Sequence, residues 1–199
     1  RSCGRQDGSC PSGSSRMGRD KRVIEVDGQA LWQRQIKILE SLRPAELVIS
    51  GPVDGPWVGS KYKVIPDSVS NAGPLAGIAA VLKSAQSPLV LALAVDMPQM
   101  SVVYLRSLLD KCTATCGVVP KRGKLYEPLA AIYPKPCTAI AEAQLRSRNY
   151  SLQNFVRDCI RAGLVIESKI PAEDEKLFGN LNRPTDLPTA TTGPVSPTA

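Results

Sequence analysis

The longest unbroken apolar run, PLVLALAV at residues 88–95, constrains the fold more than any other feature. It is far shorter than the roughly 18 residues that a membrane span needs. It has the length of a strand buried in a sheet. Similar short stretches recur as ELVIS at 46–50, YKVIPD at 62–67, CGVVP at 116–120, LAAIYP at 129–134 and LVIES at 164–168, with a shorter piece, RVIEV, before the turn at Asp27-Gly28. Between them lie segments of helical spacing. QALWQRQIKILESLR carries Trp32, Ile36 and Leu39 on one stripe and stops at Pro44. GPLAGIAAVLKSAQ opens on Gly73-Pro74, with Leu75, Ile78 and Leu82 as its buried face. SVVYLRSLLDKC starts on the cap Ser101 and aligns Val102, Leu105, Leu108 and Leu109. Residues 135–147 form a further helix. SLQNFVRDCIRAG places Leu152, Phe155, Val156, Cys159 and Ile160 together between the cap Ser151 and the stop Gly163. Apolar strands alternating with amphipathic helices predict an α/β fold with a mostly parallel sheet.

The composition removes whole classes of chemistry. The 199 residues suffice for one domain with a sizeable core. There is no histidine, so Ser-His-Asp and Cys-His nucleophiles, an imidazole base and His-bound metals are excluded. The six cysteines include no C-x-x-C pair, and reduced, partly buried thiols are expected. Cys112 and Cys116, one helical turn apart, give only a weak metal hint. Catalysis is left to carboxylates, lysine, arginine, backbone amides or a hard cation. The cationic start of the chain is followed by no apolar segment, which speaks against a signal peptide and for a cytoplasmic location with no membrane partner.

The net charge is +7, and residues 1–22 alone carry +4 of it. A concentrated positive field suits a phosphorylated ligand. Nucleic acid ranks low, because an aromatic content of 5% offers few stacking platforms. Within this region lies PSGSSRMGRDKRVIEV at 11–26. Gly13 and Gly18 have the spacing of a P-loop, but Arg19-Asp20 replaces its Lys-Ser or Lys-Thr, and G-x-G-x-x-G is absent. Small residues Ser12, Gly13 and Ser14 let backbone amides approach phosphates. Arg16 and Lys21 then neutralise charge that grows when a phosphate bond breaks, which points to a nucleoside triphosphate. In open parallel sheets ligands collect at the carboxyl ends of strands. Ser50, Asp67 and Asp96 stand at such ends. Asp96, just past the most apolar strand, reads either as a Mg2+ ligand or as a turn aspartate, with the first favoured.

SSRMGRDK, GPLAGI, VDMP, YEPLAAIYP and FGNLNRPTDL, taken in order over about residues 14–187, resemble the molybdenum cofactor guanylyltransferases of the Rossmann-like nucleotidyltransferase group. The resemblance implies a three-layer α/β fold over residues 13–187, between an atypical polar stretch at 1–12 and a disordered tail at 188–199. It implies transfer of GMP from GTP to the phosphate of molybdenum-molybdopterin, giving the guanine dinucleotide cofactor and pyrophosphate, with Mg2+ as cofactor. Molybdenum-insertion proteins and apo-molybdoenzymes are implied as partners. By position, Lys21 would contact the GTP phosphates and Asp96 the magnesium. Asp67 would contact guanine or ribose, and Ser50 stands where a base-contacting asparagine is common. Asn180 and Asn182 would line the pterin side or the metal; turn and cap roles before Pro184 are the other reading.

The chain departs from the family pattern at its start. Pro11 and Ser12 stand where the family has two glycines, and RSCGRQDG lacks the β-branched residues of a first central strand. The expected consequences are an atypical first strand, a sheet incomplete at its centre and weak GTP binding. CTP or a sugar phosphate on the same fold remains an alternative, as does nucleotide binding without turnover.

Overall fold

The computed structural model describes residues 25–26, 28–69 and 71–179. The polar stretch 1–12, the small and cationic residues Ser12, Gly13, Ser14, Arg16 and Lys21, the pair Asn180 and Asn182, and the tail 188–199 lie outside the described residues. The elements run β1 (Glu25–Val26), β2 (Gln29–Ala30), α1 (Leu31–Glu40), β3 (Val48–Ser50), β4 (Lys63–Ile65), α2 (Pro74–Ser84) and β5 (Leu89–Leu93). They continue with α3 (Val102–Leu109), β6 (Gly117–Arg122), β7 (Leu125–Tyr126), β8 (Ala130–Pro134), α4 (Cys137–Arg146), α5 (Leu152–Arg161) and β9 (Val165–Lys169), and close on a 3-10 helix, Ala172–Phe178.

The helices follow local chemistry. Ser101 and Ser151 each accept a hydrogen bond from a backbone amide three residues on, Tyr104 N–H and Asn154 N–H, so both caps act as expected. Pro74 sits in the first turn of α2, and Leu75, Ile78 and Leu82 are its buried face. In α1 the buried residues are Leu31, Gln35 and Ile36, so the stripe of Trp32, Ile36 and Leu39 is rotated from the one that packs inward.

β5, β8, β6 and β7 pair in that order, and β9 joins β6 in parallel. β8 runs antiparallel to both β5 and β6. The sheet is therefore mixed where the sequence suggested a mostly parallel one. The reason is length. Only residues 121–128 lie between CGVVP and LAAIYP, and a parallel crossover needs a dozen or more. The chain instead makes the β6–β7 hairpin through Gly123, at φ +57°, and returns beside it.

Layering can be read from alternate residues. Val119, Ala131 and Tyr133 enter one core with Leu75, Leu82, Phe155, Val156 and Cys159 of α2 and α5. Val118, Ala130 and Ile132 enter the other with Tyr104, Leu105 and Leu108 of α3 and with Phe178. Both faces of β6 and β8 are covered, which makes a three-layer arrangement. The Tyr133 hydroxyl donates to the Pro128 carbonyl at 2.8 Å, and its ring packs on Phe155 at 5.2 Å between centroids. YEPLAAIYP is thus mainly a core motif.

Tyr104 is buried edge-on against Phe178, yet its hydroxyl oxygen has no hydrogen-bond partner among the described residues. Burial pushes this phenol up to about 12. Removing an unpaired buried hydroxyl should help rather than harm. Tyr104→Phe is expected to be neutral at pH 7 or to stabilise by about 1 kcal/mol. Wild type should lose stability as pH rises from about 10 towards 12, because the unfolded phenol ionises first. The variant should lose less over that window. Urea melts at pH 7 and 11 measure both, and a loss above 1 kcal/mol at pH 7 would contradict the account.

Candidate functional site

The parallel pair β3–β4 carries two of the predicted residues to one place. Ser50 ends β3, opposite Ile65 of β4, and Asp67 follows two residues beyond Ile65. The ladder continues one step further, with Gly51 N–H donating to the Ile65 carbonyl at 3.1 Å. The first half of α2 lies against these strand ends at Gly77. A Cβ placed there would stand 2.3 Å from Ser50 Oγ and 3.2 Å from Asp67 Oδ1. The serine hydroxyl and the aspartate carboxylate therefore flank a single point on the helix that only glycine leaves open.

Two supports hold this corner. After β3 the chain wraps around Trp57, which is buried and donates its indole N–H to the Pro52 carbonyl at 2.9 Å. Gly51 and Gly55 make room for the indole, since a Cβ on either would come within 2.7 Å of the ring. On the other side, the loop from Asp67 to Pro74 bends through Asn71 at φ +60° and Gly73 at φ +65° before entering α2. Ser68 Oγ ties it to the helix by donating to the Ala76 carbonyl at 3.4 Å.

Asp96 is half-buried beyond β5. Its neighbour Met97 anchors the turn from below. The Met97 carbonyl accepts from Met100 N–H at 3.1 Å and from the buried Gln35 Nε2 of α1 at 2.5 Å. Met97 and Met100 are themselves core residues. The aspartate thus rides on a turn fixed by two buried side chains and a cross-fold hydrogen bond.

Elsewhere the charges pair on the surface of the sheet. Lys121 meets Glu167 at 2.8 Å and Arg122 meets Glu127 at 2.9 Å. Burial raises the Glu127 carboxyl above its usual range, against the pull of the Arg122 guanidinium. The weak metal hint at Cys112 and Cys116 finds no third ligand, since no three metal-ligating side chains converge among the described residues; burial pushes the Cys112 thiol up to about 11.

Sequence reasoning reached Ser50, Asp67 and Asp96 through the strand-end rule. It missed Gly77, Gly51, Gly55, Trp57 and Gln35. The available signal was GPLAGI itself, whose glycine interrupts an otherwise alanine- and leucine-rich helix at a cost of about 1 kcal/mol and so implies a close approach. Gly77→Ala should therefore change the site more than the fold. The helix gains propensity while the Ser50 hydroxyl is driven aside. The expected outcome is a melting temperature within about 3 °C of wild type and nucleotide affinity at least about tenfold weaker, a loss of some 1.4 kcal/mol. Calorimetry with a nucleoside triphosphate beside a thermal melt reads both. Unchanged affinity would remove Ser50 and Asp67 from the site.

Residues 12–162 match the family described as MobA-like NTP transferase domain. A probable molybdenum cofactor guanylyltransferase from Opitutus terrae is 35% identical over 176 residues, 87% of each chain. A second, from Pelotomaculum thermopropionicum, is 32% identical over 87% of this chain and 85% of that protein. Among solved structures, molybdopterin-guanine dinucleotide biosynthesis protein A from Archaeoglobus fulgidus superposes with a TM-score of 0.65 at 22% identity, covering 86% of this chain and 89% of the other. The 2-C-methyl-D-erythritol 4-phosphate cytidylyltransferase from Thermus thermophilus gives 0.63 at 17% identity, over 83% and 89%. These two show the fold. Family match and sequence identity together establish that the chain belongs to the MobA-like NTP transferase domain family and is a nucleotidyltransferase.

Proposed function

We propose that the chain transfers GMP from GTP to the terminal phosphate of molybdenum-molybdopterin. A phosphate oxygen of the pterin bonds to the α-phosphorus of GTP. The bond from that phosphorus to the β-bridging oxygen breaks, and its electron pair leaves with pyrophosphate. The reading rests on one observation, the meeting of Ser50 Oγ and the Asp67 carboxylate at the bare backbone of Gly77. A carboxylate accepts two hydrogen bonds at once from the N1–H and N2–H2 of guanine, whereas the matching edge of cytosine offers a single donor beside an acceptor. The guanylyltransferase names of the relatives agree with that choice of base.

Asp96 suits magnesium. Among the described residues no three metal-ligating side chains converge, and Mg2+ is ordinarily held by one or two carboxylates together with substrate phosphates rather than by a protein cage. Bound there, it would neutralise charge on the triphosphate. The chain's own residues do the rest. The Met97 turn holds Asp96 still. Ser12, Gly13 and Ser14 supply backbone amides to the phosphates, and Arg16 and Lys21 offset the charge of the departing pyrophosphate. The nucleophile is already an anionic oxygen, so the lack of histidine is no obstacle. Asn180 and Asn182 serve the pterin side. The enzyme works in the cytoplasm, and its product passes to molybdenum-insertion proteins and apo-molybdoenzymes.

The test is pyrophosphate release with molybdenum cofactor and Mg2+, using GTP and CTP in parallel. GTP should be the better substrate, and Asp67→Ala should shrink the preference by some ten- to a hundredfold, the worth of a bidentate base contact at about 1–3 kcal/mol. Faster turnover with CTP would overturn the assignment.

A further inference from the structure

β5 and β6 both run antiparallel to β8, so their carboxyl ends and the start of β8 lie at one rim of the sheet. Asp96 follows β5 at this rim. The link from β7 to β8, made of Glu127, Pro128 and Leu129, lies beside it: Ala94 N–H, two residues before Asp96, donates to the Leu129 carbonyl at 2.7 Å. Glu127 stands in that link with its backbone fixed on both sides. Its N–H donates to the Pro120 carbonyl at 2.9 Å, and its carbonyl accepts from Ala130 N–H at 3.2 Å. Its side chain is only 14% exposed, and among the described residues it pairs with Arg122 alone, through one carboxylate oxygen at 2.9 Å. The charges of Asp174 and Glu127 both act on the Tyr104 hydroxyl of α3, on the side of the sheet that also holds Met97 and Met100. A carboxylate held this far from water is costly. Arg122 offsets part of that cost, but each carboxylate oxygen accepts two hydrogen bonds, and the ion pair leaves most of that capacity open.

We propose that Glu127 reads the pterin ring of the substrate that receives GMP: its carboxylate takes hydrogen bonds from the ring N3–H and the 2-amino group. This deepens the guanylyl-transfer reading and rests on it for the identity of that substrate. A 2-amino-4-oxopyrimidine edge offers two adjacent donors, and a carboxylate, an acceptor at both oxygens, is its complement. Position agrees. Ser50 and Asp67, assigned to the guanine, belong to the β3–β4 pair, whereas Glu127 is carried between β7 and β8. The two heterocycles, alike in their donor edges, therefore have separate carboxylates on different strands. A second metal ligand is the other use of a carboxylate near Asp96, but the Arg122 guanidinium at 2.9 Å already supplies positive charge and repels a further cation.

The probes are free pterin and lumazine, its analogue with oxygen in place of the 2-amino group. Each is titrated into the full chain with Mg2+ and GTP present and followed by ring fluorescence. Wild type should bind pterin at least about tenfold more tightly than lumazine. Glu127→Gln puts a donor opposite the 2-amino group and suits the 2-oxo group instead, so the preference should vanish or reverse. Arg122→Met breaks a half-exposed ion pair but keeps the carboxylate, and its preference should stay within about threefold of wild type. Should Glu127→Gln fail to fold, Glu127→Asp, which keeps the charge and withdraws it by one methylene, should narrow the preference; an unchanged preference there overturns the proposal. The proposal also falls if wild type binds both rings alike or neither, if Glu127→Gln keeps the preference, or if Arg122→Met loses it as fully. Its failure is separable from that of the guanylyl reading. Pyrophosphate release that favours GTP, with the ring preference unmoved in Glu127→Gln, sinks Glu127 alone. Release that favours CTP sinks the base assignment and leaves the ring result standing.

Discussion

Gly117→Ala is expected to be the most damaging single methyl that can be added among the described residues. Gly117 opens β6 and is buried, with its N–H donating to the Leu164 carbonyl at 2.9 Å. A Cβ there would fall 2.0 Å from the Ile132 carbonyl oxygen and 2.8 Å from its carbon. Ile132 lies in the middle of β8, fully buried and paired on both sides. The obstacle is backbone, not a side chain that can turn away. Relief requires β6 and β8 to separate, which breaks the ladder at the centre of the sheet. Overpacking in cores typically costs about 1–3 kcal/mol. A clash with fixed backbone belongs at or above the upper end, a large share of the roughly 5–15 kcal/mol that stabilises an ordinary domain. Urea unfolding should show the midpoint falling by an amount equivalent to at least about 3 kcal/mol, or no folded protein at all. A loss below 1 kcal/mol would mean that β6 and β8 are further apart than described.

Asp96→Ala should do the opposite, leaving the fold in place and removing the activity. The carboxylate is half-buried, and the turn that carries it is held by the buried Met97 and Met100 and by the hydrogen bond from Gln35. Removing one electrostatic contributor at a reacting centre commonly costs about 10²–10³ in rate. We expect pyrophosphate release to fall by at least about a hundredfold, some 2.7 kcal/mol of transition-state stabilisation, with a melting temperature within about 3 °C of wild type. Asp96→Asn, which keeps the shape and removes the charge, should fall nearly as far. Activity within tenfold of wild type in both variants would show that Asp96 is only a turn residue.

How far these residues could be read in advance depended on whether their role is local. The cap Ser151, the stop Gly163 and the buried face of α5 are set by neighbours three or four positions away, and the sequence displays them directly. The strand-end positions of Ser50, Asp67 and Asp96 follow from where apolar runs stop. The burial of β5 did not follow. Its five apolar residues suggest a strand enclosed on all sides, and they cannot reveal that one edge lacks a described neighbour. The glycine of GPLAGI hints that something approaches α2 closely but not what, and Gly117 gives no hint at all, since what presses on each arrives from ten or more positions away in sequence. β7, two residues long, is too short to leave a periodic signal. The reversal of β8 was within reach, because the short link before it already forbids a parallel return.

The alternation along β6 and β8 separates residues that are covalent neighbours. Val118 touches one core and Val119 the other, and the same holds for Ala131 and Ile132. Side chains bonded to adjacent α-carbons thus share no packing partners within those cores, and they feel one another only through the sheet's backbone. Faults introduced on opposite faces will accumulate as independent quantities, while two faults on the same face, even far apart in the chain, will not.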